Sequence, residues 1–221
     1  MRLYYFTKAA HALDNVSKRR IKISLYRDVN DPWELLPFDL SDAANREIML
    51  AFKNRMDTEY AFICMSKTWT CPLMWAHYAE KHRGVALGFD VADDYCNPIH
   101  YLPSVYELPP RRTNENMGTL ILRDGRCVFN ALFFTKFDQW AYEKEVRVHT
   151  NQNGTHVNEA GIEFSPFSAQ FDLREIVLGE QCVLTADEFH IRVPDLNPNL
   201  RFLRARRARH DFCMEPDSNG T

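Results

Sequence analysis

The chain has 221 residues, with 27 Lys and Arg against 30 Asp and Glu and a formal net charge of −3. That length supports one domain with a real core, or at most one domain and a small appendage, and the near-neutral balance excludes a protein that binds polyanions with its whole surface. Hydrophobic residues at 45% and charged residues at 26% are those of an ordinary globular chain, so neither a disordered nor a fibrous class fits.

In chain order, RLYYF (2–6) reads as a first strand. It is followed by a helix with Thr7 as N-cap and a stripe of Ala10, Leu13, Val16 and Ser17. The N-terminal MRLYYFTKAAH lacks the apolar core of a signal peptide, and no stretch approaches the ~18 apolar residues of a membrane span. IKISLY is a second strand, broken by Asn30, Asp31 and Pro32 in DVNDPWE. LSDAANREIMLAFKNRMDTE predicts a helix capped near Ser41 or Asp42, and YAFICMS (60–66) a buried strand. PLMWAHYAEKH opens with Pro72, which suits a first helical turn, and GVALGFD (84–90) is the next strand. A Pro-rich stretch follows, then TLILRDGRCVFNALFFTKF, whose latter half leans towards helix. YEKEVRVHT predicts a strand that turns through NQNGTHVNEAG into a hairpin with IEFSP. LREIVLGE and NLRFLRARRA are the last two strands. There is no repeat, and the whole predicts one α+β domain over 1–221.

The chemistry concentrates in WAYEKEVRV (140–148). On a strand, Glu143 and Glu145 would share a face, and a carboxylate pair can hold sugar hydroxyls, stabilise an electron-poor anomeric carbon or act as acid and base. The same spacing also fits a solvated strand face, with Lys144 and Arg147 pairing with neighbouring charge at little gain. On the PLMWAHYA helix, Trp75 and Tyr78 share a face with His77 beside them, the pattern of a core stripe or of an aromatic pocket. His77 and His82 have zinc-finger spacing, but Cys64 and Cys71 do not, so no metal site is implied. The six cysteines lack C-x-x-C pairs and read as free thiols of a cytoplasmic protein. GxGxxG, Walker A and GxSxG are all missing, which argues against the folds that carry them. The basic run RFLRARRARH (201–210) fits either a solvated arginine face or a nucleic-acid contact.

Taken together, Leu3-Tyr4, NDPWE, CMSKTWTCPLMWAHYAEKHRG, WAYEKEVR and REIVLG resemble a widespread bacterial family of domains without assigned function. Its signatures are LMWxHYAxxHxG and WxYExExR. More loosely, the order of elements resembles the ADP-ribosyltransferase fold. RLYYFTKAAHALDNVSKRRIKIS is similar to the opening of the DNA-modifying ADP-ribosyltransferase toxins of the DarT type, and YEKEV to the ExE strand of bacterial toxin transferases.

This resemblance implies split antiparallel sheets with short flanking helices and NAD as substrate. It makes Glu145 the NAD-ribose glutamate, Glu143 the acceptor-side glutamate and Ser66 the strand-end serine. Tyr78 or Trp75 would stack nicotinamide, with His77 nearby, and Tyr4, Tyr5 and Thr7 would lie on the adenosine side. Tyr5 stands where many such enzymes carry His or Arg, a departure from the pattern. The expected activity is transfer of ADP-ribose from NAD to a nucleic acid or protein, in a toxin or phage-defence setting. Two alternatives stand beside it: a non-catalytic nucleotide or nucleic-acid binding module on the same fold, and a metal-dependent nuclease or phosphoesterase using Glu143, Glu145 and His77.

Overall fold

A computed structural model describes residues 1–109, 119–149, 157–159 and 161–218. The first strand, β1 (Arg2–Thr7), leads into α1 (Ala9–Ser17), β2 (Arg20–Lys22) and β3 (Ser24–Leu25). Then come α2 (Ala43–Glu59), β4 (Ala61–Ser66), α3 (Pro72–Tyr78), β5 (Val85–Val91), β6 (Cys96–Pro98) and β7 (His100–Leu102). The chain continues through α4 (Val128–Phe134), β8 (Thr135–Phe137), β9 (Glu145–His149), β10 (Val157–Glu159), β11 (Ile162–Pro166) and β12 (Phe171–Leu178). It closes with α5 (Ala186–Arg192), β13 (Arg201–Arg207) and β14 (Met214–Pro216). The fold is α+β, as expected.

The main sheet runs β14-β13-β12-β5-β1-β4-β9-β6, with β3 added beside β4. Its centre is β5, whose alternate residues feed two cores. Val85, Leu87, Phe89 and Val91 pack with α1 and α5 on one face. Ala86 joins Phe6, Trp75, Val177 and Ala205 under α3 on the other. A strand buried on both faces reads as a near-continuous apolar run, and VALGF is one. A third core, around Tyr26, Phe38, Phe62 and Phe133, lies under α2 and α4. Gly84 immediately precedes β5, where nothing larger fits: a Cβ would come within 2.2 Å of the Thr7 carbonyl oxygen.

One discontinuity organises the sheet. β1 pairs with β5 along six residues but with β4 only at Tyr4↔Ser66. β4 pairs with β9 from Phe62↔His149 to Ser66↔Glu145. Two half-sheets are therefore joined by a single bridge, and beyond it β1 and β4 make no further pairs. Neighbouring strands in the sheet are antiparallel except β12 and β13, which are parallel and connected through α5.

Several expectations need correction. Thr7 belongs to β1, and the N-cap of α1 is Lys8. The buried side of that helix is Ala12, Asn15 and Val16, while Ala10 and Ser17 are exposed. IKISLY is split between β2 and β3, which join different sheets. β11 pairs with β10 and β2, so IEFSP forms no hairpin with β9. Most of the expected turn, 151–156 and 160, lies outside the described residues, as does 150 at the end of the expected strand. α5, which the sequence did not lead us to expect, starts with a capping box, Thr185–Glu188, visible in the sequence as T-x-x-E. The helix over 43–59 is capped by Asp42, whose carboxylate accepts from the Asn45 amide at 2.8 Å, as predicted.

Candidate active site

The half-sheets part beside the Tyr4–Ser66 bridge, and a cleft of about 320 Å³ lies in the gap. Tyr5 and Phe6 line it from β1, and Cys64, Met65 and Ser66 from β4. Glu145 lies next to Ser66 on its floor, because β9 starts directly opposite the end of β4.

Glu143 reaches the same cleft by a different route from the one expected. It is the last residue of a 3-10 turn, Asp138–Glu143, and not a strand residue. Lys144 then takes a left-handed conformation, φ 45°, before the strand begins. Alternation along a strand therefore does not bring the two glutamates together; a left-handed kink does. A non-glycine residue at positive φ is costly and persists where the surroundings over-determine it. Leu35, immediately after Glu34, is a second case at φ 63°.

The solvated-face reading fails, since Glu143 and Glu145 are only 4% and 5% exposed. Their carboxylates are bridged by Lys136, whose ammonium donates to Glu143 Oε2 at 2.6 Å and to Glu145 Oε2 at 3.0 Å. Arg147, fully buried, donates from Nε to Glu145 Oε1 at 2.9 Å. Its Nη2 donates to both oxygens of Glu34, at 2.6 and 2.8 Å, and its Nη1 to the Phe133 carbonyl at 2.6 Å. Phe62 and Tyr26 present ring faces to the same guanidinium. Glu143 Oε1 accepts a short hydrogen bond from the Tyr78 hydroxyl, which in turn accepts from Asn30 Nδ2 at 3.3 Å. One chain of polar contacts thus runs Asn30–Tyr78–Glu143–Lys136–Glu145–Arg147–Glu34.

The electrostatics follow from that chain. Burial alone would push the Glu145 carboxyl up, but Arg147 and Lys136 outweigh it and bring the pKa down to about 2. Glu145 is therefore ionised at neutral pH. Burial raises Glu34, with repulsion from Glu145 adding to the effect and Arg147 offsetting part of it. Burial works against the Lys136 ammonium, yet Glu145, Glu143 and Glu34 together hold it protonated well above the ordinary lysine range. Tyr78 is raised first by burial and then by its bond to Glu143, so it stays a neutral donor.

Comparison with known families, curated proteins and solved structures returned no match. The chemistry of the site therefore has to be read from its own geometry.

Of the residues singled out in the sequence, the cleft brings together Tyr4, Tyr5, Ser66, His77, Tyr78, Glu143 and Glu145. Two are elsewhere. Thr7 is buried in the β1–β5 ladder and does not line the cleft. Trp75 is fully buried, packed edge-on against Phe6 at 5.2 Å, with Nε1 donating to the Trp69 carbonyl at 2.6 Å. It is core and cannot stack a ligand, whereas Tyr78 lines the cleft. Ser66 donates to backbone, its Oγ lying 2.6 Å from the Glu143 carbonyl oxygen and 2.9 Å from that of Thr68. It positions the turn carrying Glu143. Tyr4 sends its hydroxyl away from the cleft's carboxylates to Glu175 Oε2 at 2.9 Å.

Glu34, Lys136 and Arg147 were not picked out as site residues. A signal existed for each. Glu34 closes NDPWE, Lys136 is a lone cation in the aromatic run FFTKF, and Arg147 ends ExExR on a strand too apolar to need a surface charge.

Four arginines of the basic segment have partners within the fold. Arg204 donates to the carbonyls of Gly179, Cys182 and Leu184. Arg206 pairs with Glu215 at 2.6 Å, Arg207 with Glu180 at 3.0 Å, and Arg201 with Glu175 at 3.3 Å. The six cysteines are free thiols. No helix among the described residues is long and apolar enough to cross a membrane.

Proposed function

We propose that the chain is an ADP-ribosyltransferase-like enzyme that cleaves NAD at the nicotinamide–ribose bond and passes ADP-ribose to a nucleic acid or protein acceptor. The observation that carries this reading is the position of Glu145. It is ionised, buried, first on its strand, opposite Ser66, and on the floor of a cleft made where two half-sheets part. The resemblance noted in the sequence assigns the NAD-ribose glutamate to the same residue.

Breaking the C1′–N bond sends its electron pair to the nicotinamide nitrogen and leaves oxocarbenium character on the ribose. A fixed carboxylate in a water-poor cleft stabilises that charge as it develops. Tyr78 offers a ring on the cleft wall for the leaving nicotinamide, and His77 lies beside it, 6.1 Å between ring centroids. Glu143 is fixed by Tyr78 and Lys136, and the resemblance assigns it to the acceptor side. The toxin or phage-defence setting rests on the resemblance alone.

A second reading has its own support. Lys136 and Arg147 already neutralise much of the charge on Glu145, which weakens its pull on an oxocarbenium centre. That favours a binding module on the same fold, one that holds a nucleotide without turnover. The metal-dependent alternative loses support, because the Lys136 ammonium stands between the two carboxylates where a bridging cation would sit.

A crystal structure with a non-cleavable NAD analogue tests the first two readings together. Both predict a ribose hydroxyl within hydrogen-bond reach of Glu145, about 3 Å. An analogue that binds elsewhere sinks both, and turnover of NAD itself then decides between them.

A further inference from the structure

Four carboxylates line the cleft: Asp28, Glu34, Glu143 and Glu145. Among the described lining residues Lys136 is the one permanent cation. Its ammonium is shared by Glu143, Glu145 and, at 3.9 Å, Glu34. Arg147 lies behind the wall, and its donors go to Glu145, Glu34, the Phe133 carbonyl and the Tyr26 hydroxyl. Arg27 does not line the cleft, and its Nε is 4.0 Å from Asp28 Oδ1. Even with Arg147 and Arg27 included, carboxylates outnumber cations four to three.

Pyrophosphate recognition needs uncommitted cations or a cluster of N–H donors. Here a phosphate would instead meet an excess of negative charge in a low-dielectric cleft, where fields are focused. A pyridinium riboside brings one positive charge and hydroxyls, which suit carboxylates. The volume agrees: about 320 Å³ is near the lower end of the ~300–1,000 Å³ of small-molecule sites.

We infer that the cleft encloses only the cationic N-riboside half of its substrate and leaves any phosphates outside. The substrate class is therefore pyridinium ribosides with or without phosphate, and nicotinamide riboside is cleaved at least as well as NAD. This rests on the glycosidic-cleavage reading above. In the hydrolytic case the C1′–N bond breaks, neutral nicotinamide leaves with the electron pair, a water oxygen bonds to C1′, and the water's proton goes to solvent.

The test follows nicotinamide release by the full chain from nicotinamide riboside and from NAD, at low and high salt. The expected kcat/KM for the riboside equals or exceeds that for NAD. Added salt lowers the riboside value and raises the NAD value. Asp28 is exposed, so Asp28→Asn should keep the fold and narrow the riboside's advantage. A kcat/KM for NAD above that for the riboside overturns the inference. Cleavage of NAD with the riboside untouched also overturns it while leaving the glycosidic reading standing. Cleavage of neither removes both.

Discussion

The Lys136 ammonium lies 2.6 Å from Glu143 and 3.0 Å from Glu145, so one buried cation joins two carboxylates that the backbone brings together through a left-handed Lys144. Removing one partner of a buried ion pair leaves an uncompensated charge, at a cost of about 3–5 kcal/mol. Lys136→Met should destabilise the protein by that order, read from urea unfolding. Adding Glu143→Gln should restore part of the loss, because the two changes act on one network. Purely additive costs would show that Lys136 and Glu143 are not coupled.

The pH dependence has a definite sign. Glu145 titrates near 2 in the folded protein, below its unfolded value of 4.5. Its contribution to stability is fully present above the unfolded value and is lost as the pH falls from about 4.5 towards 2. Glu34, raised by burial, works in the opposite direction. Glu145→Gln should therefore flatten the fall in stability across that window relative to the parent chain. An unchanged slope in an acid titration followed by circular dichroism would contradict the assignment.

Trp75 and Tyr78 are neighbours on one helix with different tasks. Trp75→Ala empties a fully buried site and should cost about 3–5 kcal/mol. Tyr78→Phe loses a hydrogen bond to Glu143 and should cost about 1 kcal/mol, yet alter ligand affinity or turnover far more than its stability. Thermal denaturation alongside ligand titration separates the two effects.

Lys144 occupies a conformation that glycine adopts freely, φ 45°. Lys144→Gly should be neutral or stabilising by up to about 1 kcal/mol, and Lys144→Val destabilising by about 1–2 kcal/mol. Equal unfolding midpoints for the two variants would refute the strain.

Much of this was legible in the sequence, for identifiable reasons. The strand over 85–91 and the helix over 43–59 follow from apolar runs and a cap, which are local signals. Convergence of Glu143, Glu145, Ser66 and Tyr78 was anticipated through resemblance, and all four line one cleft. The route was not legible: a left-handed Lys144 ends a 3-10 turn inside what reads as an alternating strand. Glu34 escaped because its contacts to Lys136 and Arg147 span 102 and 113 residues of chain; Lys136 lies only 7 and 9 residues from Glu143 and Glu145, but the 3-10 turn that folds it back onto them is hidden in what reads as a strand. Trp75 stood beside Tyr78 as an alternative stacking ring because helical spacing gives a shared face but not which part of it turns towards the core.

The central claim is that Glu145 supports cleavage of a nicotinamide–ribose bond. Its most direct test is nicotinamide release from NAD by the purified chain beside Glu145→Gln, with folding of both verified by circular dichroism. The account predicts release by the parent protein and loss of at least about a hundredfold in the variant, the scale of removing one electrostatic stabiliser from an active site. Release that persists undiminished in folded Glu145→Gln, or no release by the parent chain with any acceptor, would contradict it.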